Sequence, residues 1–412
     1  MNSEHSPLSL HVPCPVARPG GAHAFEHLDI PAAGTVARPD ALRPENELRD
    51  MPYQLIRVLD DAGVPQGNWC PGLSPDTLRE GLRAMKLTRA FDDRMFRLHR
   101  QGKTSFYMKC RGEEAIGVAQ SMALGREDMC FPTYRVMGWL HARGYPLDKM
   151  VNQIFSNAAD PLRGRQLPIL FSARDYGFYS LSGNVGSRIG HAVGWGMASA
   201  YRGDNNIALG YIGEGSTAEG DFHEALTFAS VYRAPSILCI TNNQWAISSF
   251  SGIAGGEATT FAAKALAYGI PGLRVDGNDF LAVWAVTQWA AKRARANLGS
   301  TLIELFTYRA AGHSTSDDPT KYRPQDEADR WPLGDPVERL SAHLQNIGEW
   351  DKQREALLDK QLDEQVRSAV KQGEAIGTLG QSKPPVGEMF EGVFETPDWR
   401  LEAQRREVEG EP

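Results

Sequence analysis

A chain of 412 residues with 42% hydrophobic and 23% charged residues can bury a large core and hold one big or two ordinary globular domains. A net charge of −7 argues against general nucleic-acid binding, which needs a basic face, and no stretch is apolar for long enough to span a bilayer. Five scattered cysteines (Cys14, Cys70, Cys110, Cys130 and Cys239) with no C-x-x-C pair read as reduced thiols of a cytoplasmic compartment, and no basic segment followed by an apolar run marks a targeting peptide at the N-terminus.

Residues 1–74 are rich in proline and glycine, with one strand-like patch at 53–58. They are expected to form an extended arm over another surface, a second subunit being the obvious one. Ser74-Pro75 has the form of a helix N-cap with proline in the first turn. A helix is predicted from there to about residue 100, with Leu78, Leu82, Met85, Phe91 and Met95 on its apolar side. A second follows Gly112 and runs to about 124. Residues 131–135 (FPTYR) form a loop leading into a third.

The segment 183–201 carries Gly186, Gly190 and Gly194 at four-residue spacing. Glycine is costly inside a helix, so a row of them implies that another backbone comes close. Helix–sheet packing and a subunit interface both remain open.

The next segment is the most informative. Residues 206–212 (NIALGYI) and 236–241 (SILCIT) read as buried strands. Between them, 218–232 has a helical stripe of Phe222, Leu226, Ala229 and Val231. That is a βαβ unit, whose strands run parallel. Glu214, in Gly213-Glu214-Gly215, and Asn243, which closes Asn242-Asn243, are 243 − 214 = 29 residues apart. Both fall just past the carboxyl ends of parallel strands, the edge where open α/β sheets bind ligands.

A carboxylate and a side-chain amide oxygen are hard donors that suit Mg²⁺ or Ca²⁺. Mg²⁺ takes one or two such groups and completes its octahedron with phosphate oxygens and water. The helix beginning after Gly215 points free N–H groups at the same corner, and Ser216-Thr217-Ala218-Glu219 has the capping-box form that would fix its start. The corner is therefore expected to hold a metal–diphosphate. A dinucleotide fold would need G-x-G-x-x-G here, and the third glycine is missing.

Further on, 273–276 and 301–308 read as strands around a helix at 280–296. The alternation predicts an α/β fold, a doubly wound and mostly parallel sheet flanked by helices. The loop 310–319, with His313, leaves the last strand on the ligand edge and is expected to be mobile until a ligand arrives. Residues 336–373 are helical and heavily charged. The tail, 389–408, is a short apolar patch and a polar helix. The expected organisation is an arm (1–74), an α/β domain (75–330) and a C-terminal helical segment (331–412).

Taken together, Gln101-Gly102-Lys103-Thr104-Ser105-Phe106-Tyr107-Met108 with Gly112-Glu113-Glu114-Ala115, the Gly213 to Asn243 unit, Arg274-Val275-Asp276-Gly277-Asn278-Asp279 and the 312–318 loop resemble the alpha subunits of thiamine-diphosphate-dependent 2-oxo acid dehydrogenases. The SFYM and HSTSDD wordings and the long arm are similar to the branched-chain (2-oxoisovalerate) branch more than to the pyruvate or acetoin branch, which stays the alternative. The resemblance implies oxidative decarboxylation of branched-chain 2-oxo acids and acylation of the lipoyl group of an acyltransferase core. It implies thiamine diphosphate and Mg²⁺ as cofactors. Glu214, the Asn243 side chain and the Trp245 carbonyl would hold the metal. Tyr134, Arg135, Gly215, Ser216 and Glu219 would hold the diphosphate. Ser182 to Val185 would touch the rings, and His313 would be the catalytic histidine. A beta subunit would supply the activating glutamate in an α₂β₂ tetramer. Relatives often carry an arginine where this chain has Thr241, so phosphate neutralisation is expected to lean on Mg²⁺, Arg135 and helix N-termini, or on another arginine such as Arg309.

Overall fold

The strands are short, largely buried runs, the longest of them rich in aliphatic and β-branched residues (Ser236–Asn242, Thr301–Phe306), and six of them line up in one sheet. The computed structural model describes residues 9–21, 25–379, 381–382 and 384–410; the parts of the expected arm at 1–8 and 22–24 lie outside the described residues. The strands are β1 (Leu55–Ile56), β2 (Met129–Phe131), β3 (Ala208–Gly213), β4 (Ser236–Asn242), β7 (Gly272–Asp276) and β8 (Thr301–Phe306), while β5 (Trp245–Ala246) and β6 (Ser249–Phe250) form a separate antiparallel ribbon. The sheet order is β1-β7-β8-β4-β3-β2 and all its pairs are parallel.

The helices are α1 (Pro75–Arg100), α2 (Glu114–Ala123), α3 (Gly138–Ala142), α4 (Leu147–Phe155), α5 (Ser187–Arg202), α6 (Gly220–Val231), α7 (Phe280–Arg295), α8 (Pro336–Asn346), α9 (Lys352–Ile376) and α10 (Trp399–Glu409). Helix α1 starts where its cap predicts: the Ser74 hydroxyl accepts from the Thr77 N–H. Its apolar side, Leu78 to Met95, is buried in the main core.

The sheet is covered on both faces, which is why its strands read as continuous apolar runs. Along β4, Ile237 and Cys239 face the main core with α1, α2 and α7, while Leu238 and Ile240 face a second core under α5 and α6. Helix α5 lies close to the sheet at Gly210, where a Cβ would stand 2.7 Å from that of Ala192.

One local expectation changes here. The Ser216 to Glu219 capping box does not form: 214–218 is a 3₁₀ turn, and α6 begins at Gly220 without a side-chain cap. The physical reason is that Glu214 starts the turn directly at the strand end, so the chain tightens before it can enter an α-helix. The charged stretch after 336 is two helices, with Asp351 capping the second. Strand β2, three residues long, is too short to be read in advance; helix α4 is legible in Leu147, Met150, Val151 and Ile154, spaced i, i+3, i+4 and i+7 and all buried.

The arm packs on this chain's own sheet. β1 adds an edge strand, Val58, Leu59 and Trp69 enter the main core, and Phe25 packs edge-on against Tyr308 and Trp331. Among the described residues, no helix is long and apolar enough to cross a membrane.

Candidate active site

Because β3 and β4 pair in parallel with Gly213 opposite Thr241, the residues that follow them arrive at one corner. Glu214 is the first residue after β3, and Asn243 follows β4. Glu214 is 2% exposed, and its Oε1 has no hydrogen-bond partner. Burial pushes its carboxyl up to about 7 and Glu113 pushes the same way, while its own N–H, that of Asn243, and Arg309 pull it back. A buried carboxylate left in this state is costly unless a cation joins it.

Asn243 is also buried. Its Nδ2 donates to Glu113 Oε1 at 2.8 Å, and its Oδ1 accepts only a long bond, 3.3 Å, from the Trp245 N–H. Gln244, with φ +72, turns the chain sharply between them. The Trp245 carbonyl accepts from Arg309 Nη1 at 2.9 Å, which leaves it one lone pair. Among the described residues, no three His, Cys, Asp or Glu side chains cluster to hold a metal by themselves. The donor set is a carboxylate, an amide oxygen and a carbonyl. These hard oxygens, few in number and one of them unpartnered, fit Mg²⁺ with phosphate and water completing its shell.

A second group forms beside the first. Arg135 is buried; it donates through Nη2 to the His313 carbonyl at 2.6 Å and through Nη1 to the Lys109 carbonyl, and its Nε stands 3.6 Å from Glu113 Oε1. Its guanidinium covers the Tyr134 ring, which meets the His313 ring edge-on at 5.9 Å. Burial, then Arg135 and Arg309, depress the His313 pKa to about 3, against a weaker pull from Asp317. The imidazole is therefore neutral at ordinary pH.

The loop carrying His313 is fastened, not loose. Asp317 Oδ2 accepts from the His313 N–H and from the Tyr322 hydroxyl, both at 2.6 Å, and the Thr315 N–H donates to the Tyr107 carbonyl. Asp317 and the backbone of His313 and Thr315, in the segment that reads as mobile, make these bonds, while Ser316 and Asp318 stay exposed.

On the other side, Ser182 and Val185 lie in the segment before α5; Val185 is exposed. Buried Arg188 ties the segment by donating to the carbonyls of Ser182 and Asn184. The segment meets the α6 start at Gly186, where a Cβ would stand 3.4 Å from that of Glu219. Gly215 packs on the β5 ribbon, since a Cβ there would stand 2.5 Å from that of Ala246. Ser216 is half-buried and Glu219 exposed. Thr241 is buried in β4 with no partner for its hydroxyl. Arg309 does not stand free to replace an arginine there: it is buried, and it donates to the carbonyls of Trp245, Ile247 and Ala311 and to the Tyr322 hydroxyl.

Glu113 joins the two groups, although the sequence pattern assigns it no role. The available signal is two adjacent acids opening an otherwise apolar helix; Glu114 is the partner of Arg89, and Glu113 faces the corner.

The Dehydrogenase E1 component family model matches residues 82–381, and the model for the 2-oxoisovalerate dehydrogenase E1 alpha subunit N terminal matches residues 6–44. The chain is 53% identical over 407 residues to a 2-oxoisovalerate dehydrogenase subunit alpha of Pseudomonas aeruginosa, covering 98% of this chain and 99% of that one. It is 35% identical to a 3-methyl-2-oxobutanoate dehydrogenase subunit alpha of Mycobacterium tuberculosis, over 87% of this chain and 90% of the relative. A Staphylococcus aureus pyruvate dehydrogenase E1 component subunit alpha is 35% identical over 81% of this chain and 88% of its own.

Proposed function

The chain belongs to the dehydrogenase E1 component family, and from that premise we propose how its residues divide the work. It is the alpha subunit of a branched-chain 2-oxo acid (2-oxoisovalerate) dehydrogenase, an oxidoreductase. The pyruvate reading has the weaker match. The family depends on thiamine diphosphate, which when bound supplies an electron sink for the pair of electrons left as carbon dioxide departs.

Glu214, the Asn243 side-chain oxygen and the Trp245 carbonyl would hold Mg²⁺. Arg135, backed by Tyr134, meets the diphosphate from one side, its fork suiting phosphate oxygens. Gly215, Ser216 and Glu219 would frame it from the other, where the first N–H groups of α6 have no intrahelical partners. Ser182 and Val185 shape the ring site. His313, neutral and held at its backbone by Asp317, would face the reacting carbon and assist acyl transfer to the lipoyl group. The observation that carries this reading is the buried, partnerless Glu214 oxygen beside Asn243 at the ends of two parallel strands.

An E1 alpha subunit works with a beta subunit in a larger complex. We take the assembly to be an α₂β₂ tetramer in the cytoplasm, with the beta chain supplying the activating glutamate and the lipoyl domain docking at the 312–318 loop. The test is co-expression with the beta subunit and a comparison of 2-oxoisovalerate, 2-oxoisocaproate and pyruvate as substrates. The branched acids should be decarboxylated faster; a preference for pyruvate would overturn the substrate assignment.

A further inference from the structure

An asparagine amide has two ends of nearly equal shape, and only its partners decide which one faces a ligand. At Asn243 the deciding partner is Glu113. Its Oε1 lies 2.8 Å from Asn243 Nδ2, and both side chains are buried, at 3% and 8% exposed. A carboxylate accepts and cannot donate. The NH₂ end turns to Glu113, and the oxygen end lies on the Trp245 side, where it accepts only the long bond from the Trp245 N–H at 3.3 Å.

Glu113 is itself held rigidly. Its N–H donates to the Cys110 carbonyl at 2.8 Å. The preceding Gly112, with φ +93, lies so close to Tyr308 that a Cβ would strike the Tyr308 carbonyl. The Gly112 carbonyl accepts from Asn278 Nδ2 and Thr307 Oγ1. A carboxylate serving only to neutralise Arg135 would make its short contact with that guanidinium. Here the short contact goes to the neutral amide, and Arg135 Nε stands at 3.6 Å.

We propose that Glu113 is a positioning residue for the metal: it fixes the Asn243 amide so that Oδ1, and not Nδ2, is presented to the cation. This rests on the reading of Asn243 as a metal ligand given above.

The test is a reciprocal swap in the assembled alpha–beta complex, read by calorimetric titration of thiamine diphosphate at fixed Mg²⁺ and by thermal unfolding without cofactor. Glu113→Gln lets the amide of Asn243 turn and should weaken binding about 10–100-fold, the usual loss for an outer partner of a ligand. Asn243→Asp sets two carboxylates against each other and should weaken it as well. The double variant, Glu113→Gln with Asn243→Asp, restores an amide–carboxylate pair in reversed order. Its amide at position 113 donates to one oxygen of the carboxylate at position 243, and the other oxygen is left to the metal. It should bind at least about tenfold more tightly than the worse single variant, a gain of about 1.4 kcal/mol over it, where simple addition of the two losses would make it weaker than either.

Wild-type affinity in Glu113→Gln, or losses that simply add in the double variant, would overturn the proposal. If Glu113→Gln does not fold, Glu113→Asp, which withdraws the same carboxylate by one methylene, should show the same loss, and unchanged affinity there would overturn it equally. Glu214→Ala is the control: wild-type affinity in that variant would sink the site reading itself, separately from the role of Glu113.

Discussion

The Glu214 carboxylate is buried, raised to about 7 and short of a partner for one oxygen. It therefore does not stabilise the cofactor-free chain. Glu214→Ala should leave the unfolding temperature of the cofactor-free protein unchanged or higher, while Mg²⁺-dependent binding of thiamine diphosphate falls on the order of 100-fold. Calorimetry together with a melting curve separates the two effects; a large loss of apo stability would mark Glu214 as structural. His313 is held neutral by burial and by two arginines. In the cofactor-free protein the group stays uncharged from ordinary pH down toward 3, so its ring signals in an NMR titration should not move near pH 6.5; a titration there would contradict its burial. His313→Ala should spare decarboxylation with an artificial electron acceptor more than it spares acyl transfer to the lipoyl group; equal losses would remove the proposed role. The placement of Glu214 and Asn243 is legible in the sequence because both directly follow readable strands, and that of His313 because its loop leaves a third. Glu113 and Arg188 are not, because their meaning lies in contacts with Asn243 and with the Ser182 and Asn184 carbonyls, which periodicity does not reveal.

At the scale of elements, β3, α6 and β4 are readable from apolar runs bounded by glycine and proline, and they alone set the corner. The turn between β3 and α6 departs from its sequence pattern, since a capping box is only as good as the chain's freedom to enter a helix there. The Arg274 to Asp279 stretch, which helps carry the resemblance, proves to be a structural knot. Asp279 caps α7 through the Leu281 and Ala282 N–H groups and also accepts from those of Val58 and Leu59, while Asp276 pairs with Arg339 at 2.7 Å. Asp279→Ala loses a cap and strands two buried donors, a cost of roughly 3–5 kcal/mol. It should lower the melting temperature sharply without changing cofactor affinity in the protein that remains folded. A variant as stable as wild type would show that the knot is not what joins β1 to α7.

For the whole molecule, the glycine row at 186, 190 and 194 separates into two roles: Gly186 packs against the α6 start, where a Cβ would stand 3.1 Å from that of Asp221, and the other two differ from it and from Gly196, which lies outside the row. Gly196 packs on Pro235, where a Cβ would stand 3.0 Å from its carbonyl, while Gly190 and Gly194 have nothing within 4 Å and line an open groove between α5 and α6. Their absent side chains serve no packing inside this chain, which favours a surface for another subunit. Gly194→Leu improves helix propensity and should leave the lone chain folded while reducing the tetramer seen by size-exclusion chromatography; intact assembly would leave the groove without that role. Mg²⁺ with thiamine diphosphate at about 100 times its Kd should stabilise the assembled protein by about 2.7 kcal/mol, and a chelator should abolish the shift. The arm shows the limit of reading at this scale: its proline and glycine content predicts extension, but only the fold reveals that 55–69 closes this chain's own sheet and core. The most direct measurement is anomalous diffraction from crystals of the alpha–beta complex grown with thiamine diphosphate and Mn²⁺ in place of Mg²⁺. The expected result is one peak at coordination distance from the Glu214 carboxylate and Asn243 Oδ1, touching the diphosphate. A diphosphate bound with its metal elsewhere, or with the Asn243 NH₂ turned to it, would contradict the assignment.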